Sequence, residues 1–594
     1  MQTIDWLIVI GYLVLVLILG IYLSRRSFQN LVDFFASGRS LPWWLAGTSM
    51  AATTLSVDTP LYIAGVVGNR GIAGNWEWWS FGFAHVVMVY IFARLWRRSE
   101  IVTDAEFCEL RYGGSTAAVL RGVKAFLFAV PINCLGIGYA MLAMAKVLEV
   151  LSFWQLFGLD PATDNLRLWS VIVLSALVIV YAGFSSLWNV VATDLFQFVL
   201  ALLGSWVVAI ASVNAVGGMR PLVEYFSLSD PDVLSVLPMG WGGGFSWRAI
   251  ASIPSSTFLA YGFLQWWAYR RSDGGGEFIQ RLAASQSEAD AEKAAWLFNA
   301  LHYGVRTWPW IITALAALII YPDLPDRELG YPLLIVNYLP PVILGLVVTS
   351  LIAAFMSTAS TLINWGSSYL TNDLYGRFLS TNAGTGELLF AGRLSSIIIA
   401  VTGGVAAFIS DDIGTLFRLV IAIGTGPGLV LILRWFWWRI NAAAELAAII
   451  SGFLVGFIVS AGPGSETLTF GQKLLLITAL TTLIWVSTML LTPPESVATL
   501  DRFYAKVRPG GPGWDGPQHR TGLPPQQNLT LDIQKTLAAG LLLFGSMFTV
   551  GGFLLFQSST GWLALLMAVG GGTWLKQLNK QPTFPAPRPG IEDG

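Results

Sequence analysis

The 594-residue chain is short of charge: only 12% of its residues are Asp, Glu, Lys or Arg, where an ordinary soluble protein carries about 25%. A soluble chain of this length folds as several domains, each with a charged coat, so the deficit excludes a soluble enzyme. A hydrophobic content of 55% excludes a disordered chain. Cysteine is nearly absent. Cys108 and Cys134 sit in no CxxC or Cys/His cluster, which removes a secreted disulfide scaffold, a zinc site and a redox motif. The three histidines, His85, His302 and His519, are scattered along the sequence and argue against a histidine-built metal centre. A net charge of −1 leaves no overall basic field for nucleic acid. No cleavable signal is visible, because the first apolar run follows Asp5 and ends in Arg25-Arg26.

Apolar length is what the chain has in excess. Mean hydropathy is +0.64, and 61 glycines and 26 tryptophans suit close helix packing and anchoring at a bilayer interface. A bilayer core needs about 20 apolar residues in a helix. Such runs lie near 4–23, 43–67, 78–96, 118–149, 168–184, 187–213, 249–269, 294–320, 338–371, 388–409, 413–437, 442–461 and 471–491, with a softer pair at 533–556 and 560–577. The expected fold class is an all-α polytopic membrane protein of about 13–15 transmembrane helices. With the N-terminus outside and the spans alternating, Arg70, Arg167, Arg220, Arg248, Arg327 and Lys473 fall outside, and Lys146, Arg306 and Arg418 fall within spans. All the rest of the 34 basic residues fall inside, as the positive-inside rule requires. Residues 214–248 read as an outside loop, 492–532 as a Gly/Pro-rich inside linker and 578–594 as a disordered tail.

Two spans carry polar clusters at mid-membrane depth. The second reads MAATTLSVDTPLYIAG from Met50. Pro60 removes a backbone hydrogen bond and disfavours helix at Thr59, and Asp58 is an ionisable group in the bilayer, which marks function by default. The favoured reading is an unwound segment whose freed carbonyls bind a cation; the plain alternative is a proline kink with hydroxyls bonded back to their own helix. In the ninth span, Ser357, Ser360, Thr361 and Asn364 share one helical face. That face is either a hard-oxygen surface for an alkali cation or a strip of small residues for close packing. Asp194 at the start of the sixth span either faces a partner or cavity of functional use, or forms an ion pair or a helix-start cap at the inside interface. Arg306 in the eighth span suits a bound carboxylate or an intraprotein acid such as Asp58 or Glu77. If free it favours an anionic solute, and if paired a neutral polyol or sugar. Arg418 is open to the same two readings. SDGGG (272–276) lacks the Lys-Ser/Thr of a P-loop and reads as a flexible turn in an inside loop.

The segments DFFASGRSLPWWLAGTSMAATTLS (33–56), TDAEFCELRYG (103–113), the run at 183–198 with LWNVVATDLFQF, IQRLAAS (279–285) and AAFMSTASTLINWGSSYLTNDLY (353–375) resemble the sodium/solute symporter family, which includes sodium–glucose and sodium–proline carriers. The resemblance covers about residues 4–491. It implies a five-plus-five inverted-repeat transporter fold with discontinuous helices. The division would be an extra N-terminal helix (1–32), a first repeat (33–213), the outside loop, a second repeat (249–440), two accessory helices (441–491), the linker and a C-terminal helix pair (533–577). Each repeat would open on a broken helix, and in the seventh span Pro254 and Gly262 fit that role.

By the same resemblance, one sodium would be held by the carbonyls of Ala52, Leu55 and Ala354 and the hydroxyls of Ser357 and Thr358. A second would be held by Asp194, Ser357, Ser360 and Thr361. Asp58, Thr59, Glu77, Tyr261, Gln265 and Arg306 are the solute-binding candidates. Glu77 in WEWW matches a sugar-contacting acid of galactose carriers, but Thr59 stands where their glutamine is. Their span-eight lysine has no counterpart, with Arg306 one residue away, and WWAYRRSDGGGE is inserted after Gln265.

The expected function is a sodium-coupled symporter importing a small polar organic solute (sugar or polyol, amino acid, or carboxylate) by alternating access. No catalytic residues and no cofactor are expected beyond sodium as coupling ion. The expected partners are the solute, sodium and the lipid bilayer of the cell or inner membrane, with no nucleic acid, in a monomer or weak homo-oligomer. The alternatives are a proton-coupled transporter of the same fold, or an integral membrane enzyme or sensor. The sequence has no GxSxG, HExxH or loop DxD for an enzyme and no appended domain for a sensor.

Overall fold

A computed structural model describes residues 1–23, 35–161, 164–182, 187–237, 255–268, 273–274 and 276–581. Arg25, Arg26, Pro254, Arg270, Arg271, most of the tail and the 183–186 end of one family-like run lie outside them. Among the described residues the chain is helical, with one isolated bridge between Leu41 and Ser285. The helices are α1 (Thr3–Leu23), α2 (Trp43–Thr53), α3 (Asp58–Arg70), α4 (Ile72–Ser99), α5 (Gly114–Val150), α6 (Leu166–Ala182) and α7 (Leu187–Ala215). They continue with α8 (Met219–Ser229), α9 (Ser255–Phe263), α10 (Gly276–Ala284), α11 (Glu288–Ile320), α12 (Ile343–Leu379), α13 (Thr385–Ile409) and α14 (Ile413–Phe436). The last are α15 (Ala442–Ala461), α16 (Phe470–Leu491), α17 (Val497–Val507), α18 (Leu529–Leu554) and α19 (Ser558–Leu578). Ten of these are long and apolar enough to cross a membrane, and α2 with α3 make an eleventh, broken at 53°. The shorter apolar stretches Thr3–Leu19 and Leu166–Tyr181 add two more candidates.

The break between α2 and α3 follows from the chain. Pro60 occupies the first turn of α3, where its missing N–H would have had no helical partner. Asp58 places a negative charge at that helix's positive end. The expected seventh span, 249–269, holds α9 and a short turn at Gln265–Trp267; α10 lies after it, and its residues are all buried. Arg281 and, of the SDGGG segment, Asp273, Gly274 and Gly276, expected in an inside loop, therefore belong to the interior. The helix GEFIQRLAA is polar because it faces other helices rather than lipid.

Asp273 of the inserted segment is pinned by Arg434 (2.7 Å) and by the Trp435 indole (3.2 Å). The linker after α16 is ordered too. Glu495 accepts from the Gly113 amide at 2.9 Å, Arg98 donates to the Val507 carbonyl at 2.7 Å, and Trp514 donates to the Trp435 carbonyl at 2.7 Å.

Four helices surround the first half of the broken span. α2 packs on α7, α10, α11 and α12. Two glycines set the spacing. A Cβ on Gly47 would stand 2.7 Å from the Ala294 carbonyl, and one on Gly204 would stand 2.1 Å from Ser350 Oγ. With apolar lipid outside, such close contact is the main source of helix association. Gly47→Ala must push α2 off the α11 backbone and is expected to cost about 1–3 kcal/mol, read as a lower thermal midpoint in detergent. Gly570→Ala, which meets open space, is the control that should not lose stability.

Candidate ion and solute site

The end of α2 leaves carbonyls without helical partners. The Thr53 carbonyl accepts from the Thr358 hydroxyl of α12 at 2.9 Å. The Ala51 carbonyl accepts from Arg306 Nη1 at 3.1 Å and from Thr54 Oγ1 at 3.1 Å. The Ala52 carbonyl accepts the Leu55 amide at 3.0 Å. The break is therefore stitched to α12 and α11 by polar contacts, and the hydroxyls of Thr48, Thr53 and Thr54 also bond back to their own helix, as the plain alternative expected. Ala52, Leu55, Ala354, Ser357 and Thr358 are all buried, and Ser357 and Thr358 lie on α12 opposite the break.

The hydroxyl face of α12 points inward. Ser357 donates to Asp194 Oδ1 at 2.6 Å, and Ser49 of α2 donates to the other carboxylate oxygen at 2.5 Å. Thr361 lies 3.2 Å from the Thr53 hydroxyl and accepts from Arg281 Nη2 at 2.8 Å. Asn364 accepts from Gln280 at 3.0 Å, while Ser360 donates to its own helix at Ser357 (3.1 Å). Asp194 is therefore no helix-end cap: it is a fully buried acid joining α2, α7 and α12, with Arg281 3.9 Å away. Arg281 was absent from the sequence-predicted site. The signal that could have found it is its place in IQRLAAS (279–285), one of the segments that resemble the symporter family.

The solute candidates divide into two groups. Asp58, Thr59 and Arg306 line a cavity of about 90 Å3 beside the break, together with Thr54, Ser56 and Thr358. Tyr62, Trp78, Phe81, Tyr139, Tyr303 and Phe417 give it aromatic walls, and Asp58 Oδ1 is buried with no hydrogen bond. Two of the scattered histidines also meet here, His85 and His302, with ring centroids 5.8 Å apart.

Glu77, Tyr261 and Gln265 form a separate knot. The buried Glu77 carboxylate pairs with Arg70 at 2.5 Å and Arg418 at 3.2 Å, and accepts from Tyr62 at 2.7 Å and Tyr261 at 3.0 Å. The Gln265 amide donates to the Glu77 carbonyl. Arg418, ambiguous in the sequence, is a partner of Glu77. Beside the knot lies a cavity of about 350 Å3 lined by Arg70, Lys146, Glu328, Asp412 and Arg418.

Comparison with known proteins follows this geometry. Residues 34–452 match the profile of the sodium:solute symporter family. The sodium/glucose cotransporter 4 of Danio rerio is 23% identical over 77% of this chain and 72% of its own length. The sodium/glucose cotransporter of Vibrio parahaemolyticus is 22% identical over 76% and 84%. The sodium/myo-inositol cotransporter 2 of Oryctolagus cuniculus is 23% identical over 76% and 69%. Among solved structures, the substrate-bound outward-open state of a Na+-coupled sialic acid symporter superposes with a TM-score of 0.65 at 22% identity, covering 83% of this chain and 99% of that one, so the two share a fold.

Removing Glu77 strands two guanidinium groups. Glu77→Ala is expected to cost about 3 kcal/mol, the lower end for a broken buried pair, because Arg418 keeps 40% of its side chain exposed. A chemical-denaturation or thermal midpoint of the detergent-solubilised protein reads it. The chain is a multi-pass, all-α membrane protein that belongs to the sodium:solute symporter family, a transporter and not an enzyme.

Proposed function

We propose that this symporter uses sodium to import a neutral polyhydroxylated solute of the sugar or polyol class by alternating access. It would sit in the cell or inner membrane with its N-terminus outside, the orientation that puts most basic residues on the cytoplasmic side. The observation that carries the reading is the broken span bonded to Thr358 of α12 beside a cavity into which Asp58 brings a buried carboxylate oxygen with no hydrogen bond. Carbonyls of Ala52, Leu55 and Ala354 with the hydroxyls of Ser357 and Thr358 form a five-oxygen shell of the hard type that an alkali cation takes. Asp194, Ser357, Ser360 and Thr361 would hold a second sodium; it would enter beside Arg281 and displace the serine donors of Asp194.

For the solute, Asp58 offers acceptors to paired hydroxyls and the aromatic walls pack the C–H faces of a ring. Arg306 donates to Ala51 and contacts His302, which leaves little of it for a solute carboxylate. The relatives named for glucose and myo-inositol support the same class. In this reading Glu77 is spent on Arg70 and Arg418, so the role that its counterpart plays toward sugar passes to Asp58.

Sodium would hold α2 and α3 against α12 and complete the cavity. Its loss to a low-sodium interior would loosen both. Coupling is then the bias of one conformational equilibrium by two ligands.

The test is a thermal-shift screen of sugars, polyols, amino acids and carboxylates with and without sodium, followed by uptake into proteoliposomes. A sodium-dependent shift confined to carboxylates or amino acids would overturn the solute class. Ser357→Ala with Thr358→Ala should abolish sodium-driven uptake with the protein still in the membrane. Unchanged sodium dependence in that variant, or uptake driven equally by a proton gradient, would remove the sodium site.

A further inference from the structure

We infer that Arg306 is a built-in brace of the sodium site, held in place by His302, and not a ligand of the solute. The inference rests on the sodium reading above and goes beyond it in assigning Arg306 and His302 to the ion.

A helix that stops in mid-bundle must find partners for its last carbonyls without water. Of the carbonyls at the end of α2, Ala51 takes a donor from another helix as well as one from its own, Arg306 Nη1 and Thr54 Oγ1, each at 3.1 Å, whereas the donors on Met50 are the amide and the shared hydroxyl of Thr54. A carbonyl oxygen has two lone pairs, so Ala51 is saturated and has nothing left for an ion. The Thr53 carbonyl is bonded to Thr358. The oxygens left with spare capacity on this turn include those of Ala52 and Leu55, the backbone ligands expected for sodium. Arg306 thus selects which carbonyls face the ion. Its charge also lies at the negative end of the half-helix, where a cation is stabilised.

Arg306 reaches this position from α11 directly after a π-helical stretch, Ala300–Val305. Such wide turns re-aim side chains and concentrate at functional sites. Its guanidinium stands 5.4 Å from the Trp310 ring and contacts His302 Nδ1 through Nη2. A guanidinium only donates, so the facing histidine nitrogen accepts and is unprotonated. Thr54 Oγ1 lies 3.0 Å from the same nitrogen. Arg306 therefore touches Ala51 and His302 at once beside the break, and Arg306, His302 and Thr54 all line the solute cavity. A solute carboxylate that took the two terminal nitrogens of Arg306 would compete for them with Ala51 and His302.

The experiment uses the full chain in lipid nanodiscs with sodium as the sole ligand, titrated by radioactive sodium binding and by tryptophan fluorescence, so that no solute need be known. Arg306→Gln is expected to weaken sodium binding about tenfold or more, the scale of a lost charged hydrogen bond. Arg306→Lys can reach Ala51 but cannot bond His302 at the same time, and is expected to recover most of the affinity, to within about threefold of wild type. A purely structural role would show no such graded rescue in protein of unchanged thermal midpoint. Ser357→Ala is run in parallel. If it loses sodium binding while Arg306→Gln keeps wild-type affinity, the brace is overturned. If Ser357→Ala itself keeps wild-type affinity, the sodium site is misassigned and the inference falls with it. Should Arg306→Gln not yield monodisperse protein, Arg306→Lys and His302→Ala decide: wild-type sodium affinity in both overturns the brace.

Discussion

A backbone that leaves its helix inside a bilayer cannot turn to water for hydrogen bonds, and much of this molecule follows from that constraint. The gap between α2 and α3 exposes carbonyls in the middle of the bundle. Thr358 from α12 and Arg306 from α11 supply donors to two of them. Elements distant in the chain are thereby required to meet at one point. Close approach at Gly47 and Gly204 brings α11 to α2 and α12 to α7. Around that point lie the remaining polar groups of the core: Asp194 with its two serines, Arg281, Asp58 and the histidine pair.

Charge obeys a related rule. An ion buried away from water must be paired or it destabilises the fold. Glu77 draws Arg70 and Arg418 from two other elements, Lys146 pairs with Asp326 and Glu328, and Arg434 joins Glu445 to Asp273. These knots tie the ends of different helices together above and below the broken span. They also change the meaning of single residues. Glu77 looks like a solute ligand by its position in WEWW, yet its carboxylate is already occupied by protein.

Much of this was legible in the chain. The apolar runs, the charge asymmetry, Pro60 with Asp58, and the hydroxyl face of α12 each follow from local periods and from the cost of polar groups in lipid, which depend on residues near in sequence. Helix α10 was less legible. GEFIQRLAA is polar and lies after an insertion, so hydropathy assigned it to a loop, whereas its environment is other helices. Likewise the Gly/Pro-rich stretch after α16 reads as a linker, because the contacts that order it come from Arg98, Gly113 and Trp435, which are distant in sequence.

The sequence by itself determined that the chain lives in a membrane, where its helices are broken, and which oxygen-rich faces exist, because these are consequences of composition and short-range period. Only the tertiary structure decided the partners. Whether Arg306 pairs, whether Glu77 is available, whether His85 and His302 are scattered or adjacent, and which acid Arg281 faces all depend on distances across the bundle. Helical spacing sets the direction of each side chain, but packing sets what stands opposite it.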